Sequence, residues 1–365
     1  MKNRIEADDL CGSGQTFLTY LFFLNFDMHI CIVVEKIIFA NVLIIINRKM
    51  INGSSIAVVI PCYKVERHIE KVVSDIPQFV DHIILVNDCS PDNTLSILNK
   101  IASVDARAIV TSNAKNMGVG GAMLTGFKSA LQIGCDVVVK IDGDGQMDCS
   151  YIESMVSKIS DNVDYVKGNR FFDRKMLSAM PWVRRFGNMG IGFLVKMASG
   201  YWEISDPTNG FFCIKTSTIQ KIETQRIANR FFFESSLLIE LYYTGAVIKE
   251  ISMPAIYADE KSNLSVFKTL LTFPPKLLHA FNRRILLRYF VFDFNICSLY
   301  ILFGVPMFLF GVIFGVVKWI QFASVNTAAP TGTIMIPVLA VVLGFQLLLA
   351  AVQFDITSKN PFNKN

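Results

Sequence analysis

The chain has 365 residues, of which 52% are hydrophobic and 18% charged, against roughly 25% charged in an ordinary soluble domain. That length holds one sizeable domain and something smaller, and the imbalance points to membrane segments. A net charge of +5 without a Lys/Arg block argues against a nucleic-acid-binding arm, and eight scattered cysteines with no C-x-x-C pair read as reduced thiols, not a zinc site.

The first 50 residues contain two apolar stretches, TFLTYLFFLNF and KIIFANVLIIIN, interrupted by Asp27, Glu35 and Lys36. Neither is long enough for a span, and no small-residue cleavage site follows them. Met50 stands immediately before the first convincing strand, so residues 1–52 are set apart as an apolar extension, with Met50 as an alternative start.

From Ile56 short apolar runs alternate with helical patterns. IAVVI (56–60), HIILVN (82–87), ARAIVT (106–111) and VVVKI (137–141) read as strands. Helices are expected from about Glu66, from about Thr94 and after Gly120, where Met123, Phe127, Ala130 and Leu131 recur at helical spacing. A further helix opens at SYIES, where Ser150 and Glu153 fit a capping box. Strands alternating with helices predict a mostly parallel, Rossmann-like α/β sheet over residues 53–265. Ligands of such sheets bind beyond the carboxyl ends of the strands.

Those ends carry Pro61-Cys62-Tyr63, then Asn87-Asp88-Cys89-Ser90-Pro91-Asp92, then Asp142-Gly143-Asp144-Gly145-Gln146. Asp-Gly alone is ordinary turn chemistry. Two aspartates two residues apart at an extended strand end, however, point to one side, and paired hard oxygens suit Mg²⁺ or Mn²⁺ bridging to a diphosphate. Gly118, Gly120 and Gly121 precede a helix whose N-terminus favours phosphate, and close helix–sheet packing explains them equally well. Arg170, Asp206 and Glu234 carry further candidate chemistry, against the plainer readings of surface arginine, turn former and helix-start residue. Arg184 and Arg185 read either as contacts to acceptor phosphate or lipid headgroups or as surface charge.

Residues 266–292 mix leucines and phenylalanines with cations around Pro274-Pro275, which predicts two short amphipathic helices on the membrane surface or, alternatively, a packed helix of the domain. Uncharged runs at Phe294–Val317 and Ile334–Phe354 each exceed the roughly 20 residues that cross a bilayer as a helix. They predict a two-helix hairpin over 293–355 and a tail over 356–365. Lys276, Arg283, Arg284 and Arg288 before it, and Lys359 and Lys364 after it, place both flanks and the domain in the cytosol, as an integral protein of a bacterial inner membrane or its equivalent.

In order along the chain, IPCY, VNDCSPDNT, NMGVGGAMLTGFKSA, DGDGQMD, KGNRF, DPTNGFF and FFFESSLLIEL resemble family 2 glycosyltransferases of the polyprenyl-phosphate branch, the dolichol-phosphate mannose synthase type. The resemblance covers about residues 55–265. It implies a GT-A fold, a nucleotide-sugar donor, Mg²⁺ or Mn²⁺, and inversion at the anomeric carbon. It assigns nucleotide-sugar binding to Pro61, Tyr63, Asp88, Asn116, Gly118 and Asp142, and metal binding to Asp142, Asp144 and Gln146. The catalytic edge it implies comprises Asp144, Arg170, Asp206 (with Thr208 and Asn209 in its loop) and Glu234. Lys64 stands where the family usually has Asn, and Asn87 where it usually has a second Asp. After FFFE the sequence reads SSLLIELYYTG, without the Glu-Asp pair typical of hydroxyl-directed members. With the hairpin, this points to a polyprenyl-phosphate acceptor of undecaprenyl or dolichyl type, the membrane as partner, and room for a homo-oligomer. The alternatives are a transferase with a hydroxyl acceptor and a non-catalytic nucleotide-sugar-binding scaffold.

Overall fold

The computed structural model describes Ile51 and residues 53–171, 182–254 and 266–363. The expectations for residues 1–50 lie outside them. Seven strands form one sheet: β1 Ile56–Cys62, β2 His82–Asn87, β3 Ala108–Ser112, β4 Val137–Lys140, β5 Tyr165–Asn169, β6 Phe212–Lys215 and β7 Ile248–Ser252, in the order β3-β2-β1-β4-β6-β5-β7. All run parallel except β6, which is antiparallel to both β4 and β5. The mostly parallel sheet expected from the sequence is therefore present.

β1 reads as a continuous apolar run because both its faces are covered. Ile56, Val58 and Ile60 pack on one side with α1 (Ile69–Ser74), α2 (Thr94–Val104) and α4 (Tyr151–Val156). Ala57 and Val59 pack on the other, with α3 (Gly118–Ile133), α5 (Trp182–Ser199) and α7 (Phe233–Thr244). The short α6 (Thr216–Ile219) follows β6. Two local expectations change. β3 begins at Ala108, two residues late, and the capping box at Ser150 does not form. Ser150 already has helical angles (φ −62°, ψ −23°), whereas a capping side chain needs an extended residue to reach back to the first turn.

The region 266–292 is also not two short helices. α8 runs unbroken over Val266–Leu286 with Pro274 and Pro275 inside it, followed by a π-helical turn over Leu287–Phe292. An interior proline costs about 3 kcal/mol or more. Here the packing of Phe273, Leu277, Ala280 and Phe281 against the domain core offsets that cost. The opposite face exposes Leu271 and Leu278.

α9 (Ile296–Ser324) and α10 (Thr331–Thr357) are long and apolar enough to cross a bilayer. They overrun the uncharged segments, so Lys318 and Asp355 lie inside the helices. Small residues bring the two axes together: a Cβ on Gly311 would sit 2.7 Å from the Val341 nitrogen, and one on Gly344 2.5 Å from that of Phe308. Close backbone approach of this kind is how helices associate in lipid, where burying apolar surface yields nothing.

Candidate active site

After β3 the chain crosses back so that β4 lies on the far side of β1, leaving a switch point between β1 and β4. Loops leave these strands in opposite directions there and open a crevice. The Asp142-Gly143-Asp144 turn lines it against the loop after β1: a Cβ on Gly143 would lie 3.1 Å from Val65 Cγ1. Tyr63 stands exposed at the mouth, with Lys64 Nζ 5.5 Å from its ring centre. Lys64 (φ 57°) is in the left-handed region, which Asn tolerates better than most residues; this is a backbone reason for the family's asparagine there. Asn87 is buried, and its Oδ1 accepts the Ser90 N–H at 3.2 Å, which a neutral amide does as well as a carboxylate.

The sequence reading overlooked Lys140. Its side chain is 1% exposed, with Nζ 2.7 Å from Asp142 Oδ1 and 3.4 Å from Glu234 Oε1. Burial opposes the ammonium charge, but the two carboxylates more than offset this and raise its pKa. Glu234 comes from the first turn of α7, so one lysine joins two candidate carboxylates far apart in sequence. Gly210 lies close over the pair: a Cβ there would sit 2.5 Å from Lys140 Nζ and 3.1 Å from Asp142 Oδ2, so a larger residue would push the lysine terminus aside.

A second cluster lies at the ends of β5 and β7. Asp206 is fully buried and takes Arg170 Nε at 2.7 Å and Nη2 at 3.1 Å, a two-pronged pair. Burial alone would raise the Asp206 pKa. The Arg170 hydrogen bonds and charge, helped by Lys167, hold it below the usual carboxylate range instead. Glu250, also overlooked, fixes this loop. Its Oε1 accepts the N–H groups of Ser205 and Asp206 at 2.8 and 3.0 Å, and its Oε2 accepts Asn169 Nδ2 at 3.0 Å. Lys167, buried beneath, donates to the Asn209 carbonyl; burial lowers its pKa to about 8, against the pull of Asp206 and Glu234.

Asp88 is held apart from these groups. Its Oδ1 accepts Asn113 Nδ2 at 2.7 Å and the Met117 N–H at 2.8 Å, and its Oδ2 the Gly118 N–H at 2.7 Å. The carboxylate thus complements the N-terminus of α3, where negative charge is favoured. Asn116 is half-buried just before that helix, and Pro61 lies within β1 opposite Val86. For the glycines of α3, close packing is what the structure displays. A Cβ on Gly118 would lie 2.6 Å from the Asn229 carbonyl oxygen and one on Gly120 2.0 Å from that of Ala228. Arg184 and Arg185 fall in α5, where their side chains lie outside the described residues.

Among the described residues no group of three or more His, Cys, Asp or Glu side chains gathers as a metal cage. The donor set at 142–146 nevertheless fits the expected ion. Mg²⁺ uses one or two carboxylates and completes its shell with water and substrate phosphate. Asp142, part-exposed at the crevice, and Asp144, whose Oδ1 accepts the Gln146 N–H at 3.0 Å, supply hard oxygens of that kind.

The Glycosyl transferase family 2 profile matches residues 57–223. UDP-N-acetylglucosamine–dolichyl-phosphate N-acetylglucosaminyltransferase of Methanococcus voltae is 30% identical over 218 residues, covering 56% of this chain and 86% of that protein. Polyprenol monophosphomannose synthase of Mycolicibacterium smegmatis is 24% identical, covering 57% and 79% respectively. Among solved structures, glucosyl-3-phosphoglycerate synthase from Mycobacterium tuberculosis with UDP superposes at TM-score 0.45 and 17% identity, over 64% of this chain and 80% of that one, too loosely to carry residue roles across. The strand-end motifs, the mostly parallel sheet and the first of these relatives agree, and the chain belongs to glycosyl transferase family 2.

Proposed function

We propose that this glycosyltransferase moves a sugar from a nucleotide-sugar to a polyprenyl phosphate at the cytosolic face of a membrane, with inversion at the anomeric carbon. Residues 53–265 are its transferase domain, α8 lies along the membrane surface, and α9 and α10 cross it as an anchor. The observation that carries the reading is the pairing of the Asp142–Asp144 edge with two apolar helices in one chain. The acceptors in the relatives' names support the lipid-phosphate class.

Asp142 and Asp144, with Gln146 beside them, are the residues that would hold a divalent metal, which when bound would supply Lewis-acid stabilisation of the departing nucleoside diphosphate. Lys140 and Glu234 orient Asp142 from below, and Gly210 keeps the loop close over them. Pro61 and Tyr63 flank the crevice where the base packs. Asn116, and Asp88 through its hold on Gly118, shape the loop beside it. Arg170 stands at the edge where acceptor phosphate approaches.

The chemistry of the carboxylates favours a phosphate nucleophile. An alcohol must lose a proton to a base, whereas a phosphate monoester with a second pKa near 6 is already mostly dianionic at neutral pH. Asp206 is locked to Arg170 with its pKa held down, which makes it a weak base. Glu234 is tied to Lys140 and is followed by Ser235, not by a second acid.

The test supplies purified protein with a panel of labelled nucleotide-sugars and either polyprenyl phosphate or the matching polyprenol. A labelled lipid cleaved by mild acid, formed from the phosphate alone and abolished by EDTA, is expected. Equal transfer to the alcohol, or an acid-stable product, would replace this reading with a hydroxyl-directed transferase. No transfer from any donor would favour the binding scaffold.

A further inference from the structure

The hairpin meets the catalytic domain around a single buried carboxylate. Asp355, in the last turn of α10, is 3% exposed. Its Oδ1 accepts Arg284 Nη1 at 2.8 Å, Arg288 Nη1 at 3.2 Å and the Tyr289 hydroxyl at 2.7 Å. Its Oδ2 accepts Arg284 Nη2 at 2.7 Å and Trp202 Nε1 at 2.9 Å. These donors come from α8, from the π-helical turn and from the segment after α5, so one side chain in the hairpin reaches three separate parts of the chain. Arg284 also donates to the Met197 carbonyl, and Arg288 to the carbonyl of Lys359.

The tail closes the same joint. Asn360 Nδ2 donates to the Tyr242 carbonyl at 2.9 Å, and the Phe362 ring lies 5.8 Å from that of Tyr242 and 5.1 Å from that of Phe292. A Cβ on Gly245 would sit 2.0 Å from the Phe362 carbonyl oxygen, so only glycine admits the tail there. Tyr242 and Gly245 belong to the C-terminal end of α7, whose first turn carries Glu234. One helix, rising about 1.5 Å per residue, therefore runs from the membrane joint to the carboxylates of the site.

A buried ion pair is weak evidence for stability, and its best-attested use is to specify one arrangement among several. Two guanidinium groups converge on Asp355, and Arg283 is paired with Glu240 at 3.0 Å. Arg284 and Arg288 are thus committed to the protein interior, and the part-buried Arg283 to Glu240.

We propose that Asp355 is a positioning residue that holds the catalytic domain in one orientation on the hairpin, so that a phosphate fixed at the bilayer surface meets the Asp142 edge. The inference rests on the polyprenyl-phosphate reading above and adds to it which residue sets the geometry of acceptor delivery.

The test compares the full-length chain with Asp355→Asn in lipid vesicles, using two acceptors: a long polyprenyl phosphate embedded in the vesicle and a ten-carbon isoprenyl phosphate dissolved in water. The variant should lose roughly tenfold or more in kcat/KM for the embedded acceptor, as small misplacements of a reacting group do. Its KM for nucleotide-sugar and its transfer to the soluble acceptor should stay within about twofold of the parent. Trp202→Phe, which removes one donor and keeps an aromatic ring, should shift the same ratio in the same direction if Asp355→Asn does not fold. Equal losses on both acceptors, or no loss on the embedded one, would overturn the proposal.

Trp202 offers a readout that needs no activity. With Trp182 and Trp319 replaced by Phe, its emission should change on Asp355→Asn. Unchanged emission would sink the joint itself. Inactivity of the parent chain towards both acceptors, with a clear emission change, would instead count against the acceptor reading and leave the joint standing.

Discussion

At the scale of single residues, the site depends on charges whose partners were not visible in sequence. Asp142 and Asp144 were legible because D-x-D follows an unmistakable buried strand. Asp142→Asn and Asp144→Asn should each reduce transfer about a hundredfold or more, since each removes charge stabilisation at the leaving group, while the proteins stay folded and membrane-bound. Full turnover in either variant, or in metal-free buffer, would remove the metal role. Lys167 makes a separate, thermodynamic prediction. Burial lowers its pKa from 10.5 to about 8, so between those values the unfolded chain binds a proton that the folded chain does not. Stability conferred through this residue should therefore rise with pH across that window; below about 8 both states are protonated and the burial penalty is constant. Denaturant titrations of the parent and Lys167→Met at pH 7 and pH 10 should show the parent gaining relative to the variant, and parallel shifts would refute the burial. Lysines in strands read from sequence as solvent-facing, and only the pairing of β4 and β5 with β6 hides these two.

At the scale of elements, periodicity located β1, β2 and β4 because strands covered on both faces are uninterrupted apolar runs. β3 lies at the sheet's edge and is only half-buried, and its start was misjudged by two residues. α8 was misjudged more seriously, since Pro274-Pro275 is a strong local break signal that packing against the domain overrides. The glycines of α3 admitted two explanations, phosphate cradle or close packing. Packing makes a direct prediction: Gly120→Ala should destabilise the domain by about 1–3 kcal/mol, the usual cost of forcing extra volume into a filled contact, because its methyl would overlap the Ala228 carbonyl. Thermal unfolding of the purified variant measures this. An unchanged midpoint would mean that the 228–230 segment yields freely.

At the scale of the whole molecule, the first described core residue is Ile51, 7% exposed, and the apolar hairpin stands at the other end of the chain. A chain beginning at Met50 should therefore fold, remain in the membrane fraction after carbonate washing, and transfer sugar at the parental rate. If it fails to reach membranes or to fold, residues 1–49 take part in the structure. Among the described residues, the donors to the Asp355 carboxylate lie between Trp202 and Tyr289, so a chain beginning at Met50 keeps all of them.

The sequence by itself determined the first four strands with the helices that follow them, the apolar hairpin and the acidic strand ends, because each is written in local spacing: runs of two-sided burial, lengths matched to a bilayer, aspartates two apart. Tertiary structure alone decided the reversed direction of β6, the Lys140 bridge between Asp142 and Glu234, the commitment of Asp88 to a helix end, and the seating of Asp355 among two arginines, a tyrosine and a tryptophan. The first is a matter of long-range strand pairing, and the other three join groups tens of residues apart whose desolvation has to be balanced by a specific partner. A charged residue within an apolar run shows in sequence that some partner is required, and only the packed chain shows which one it is.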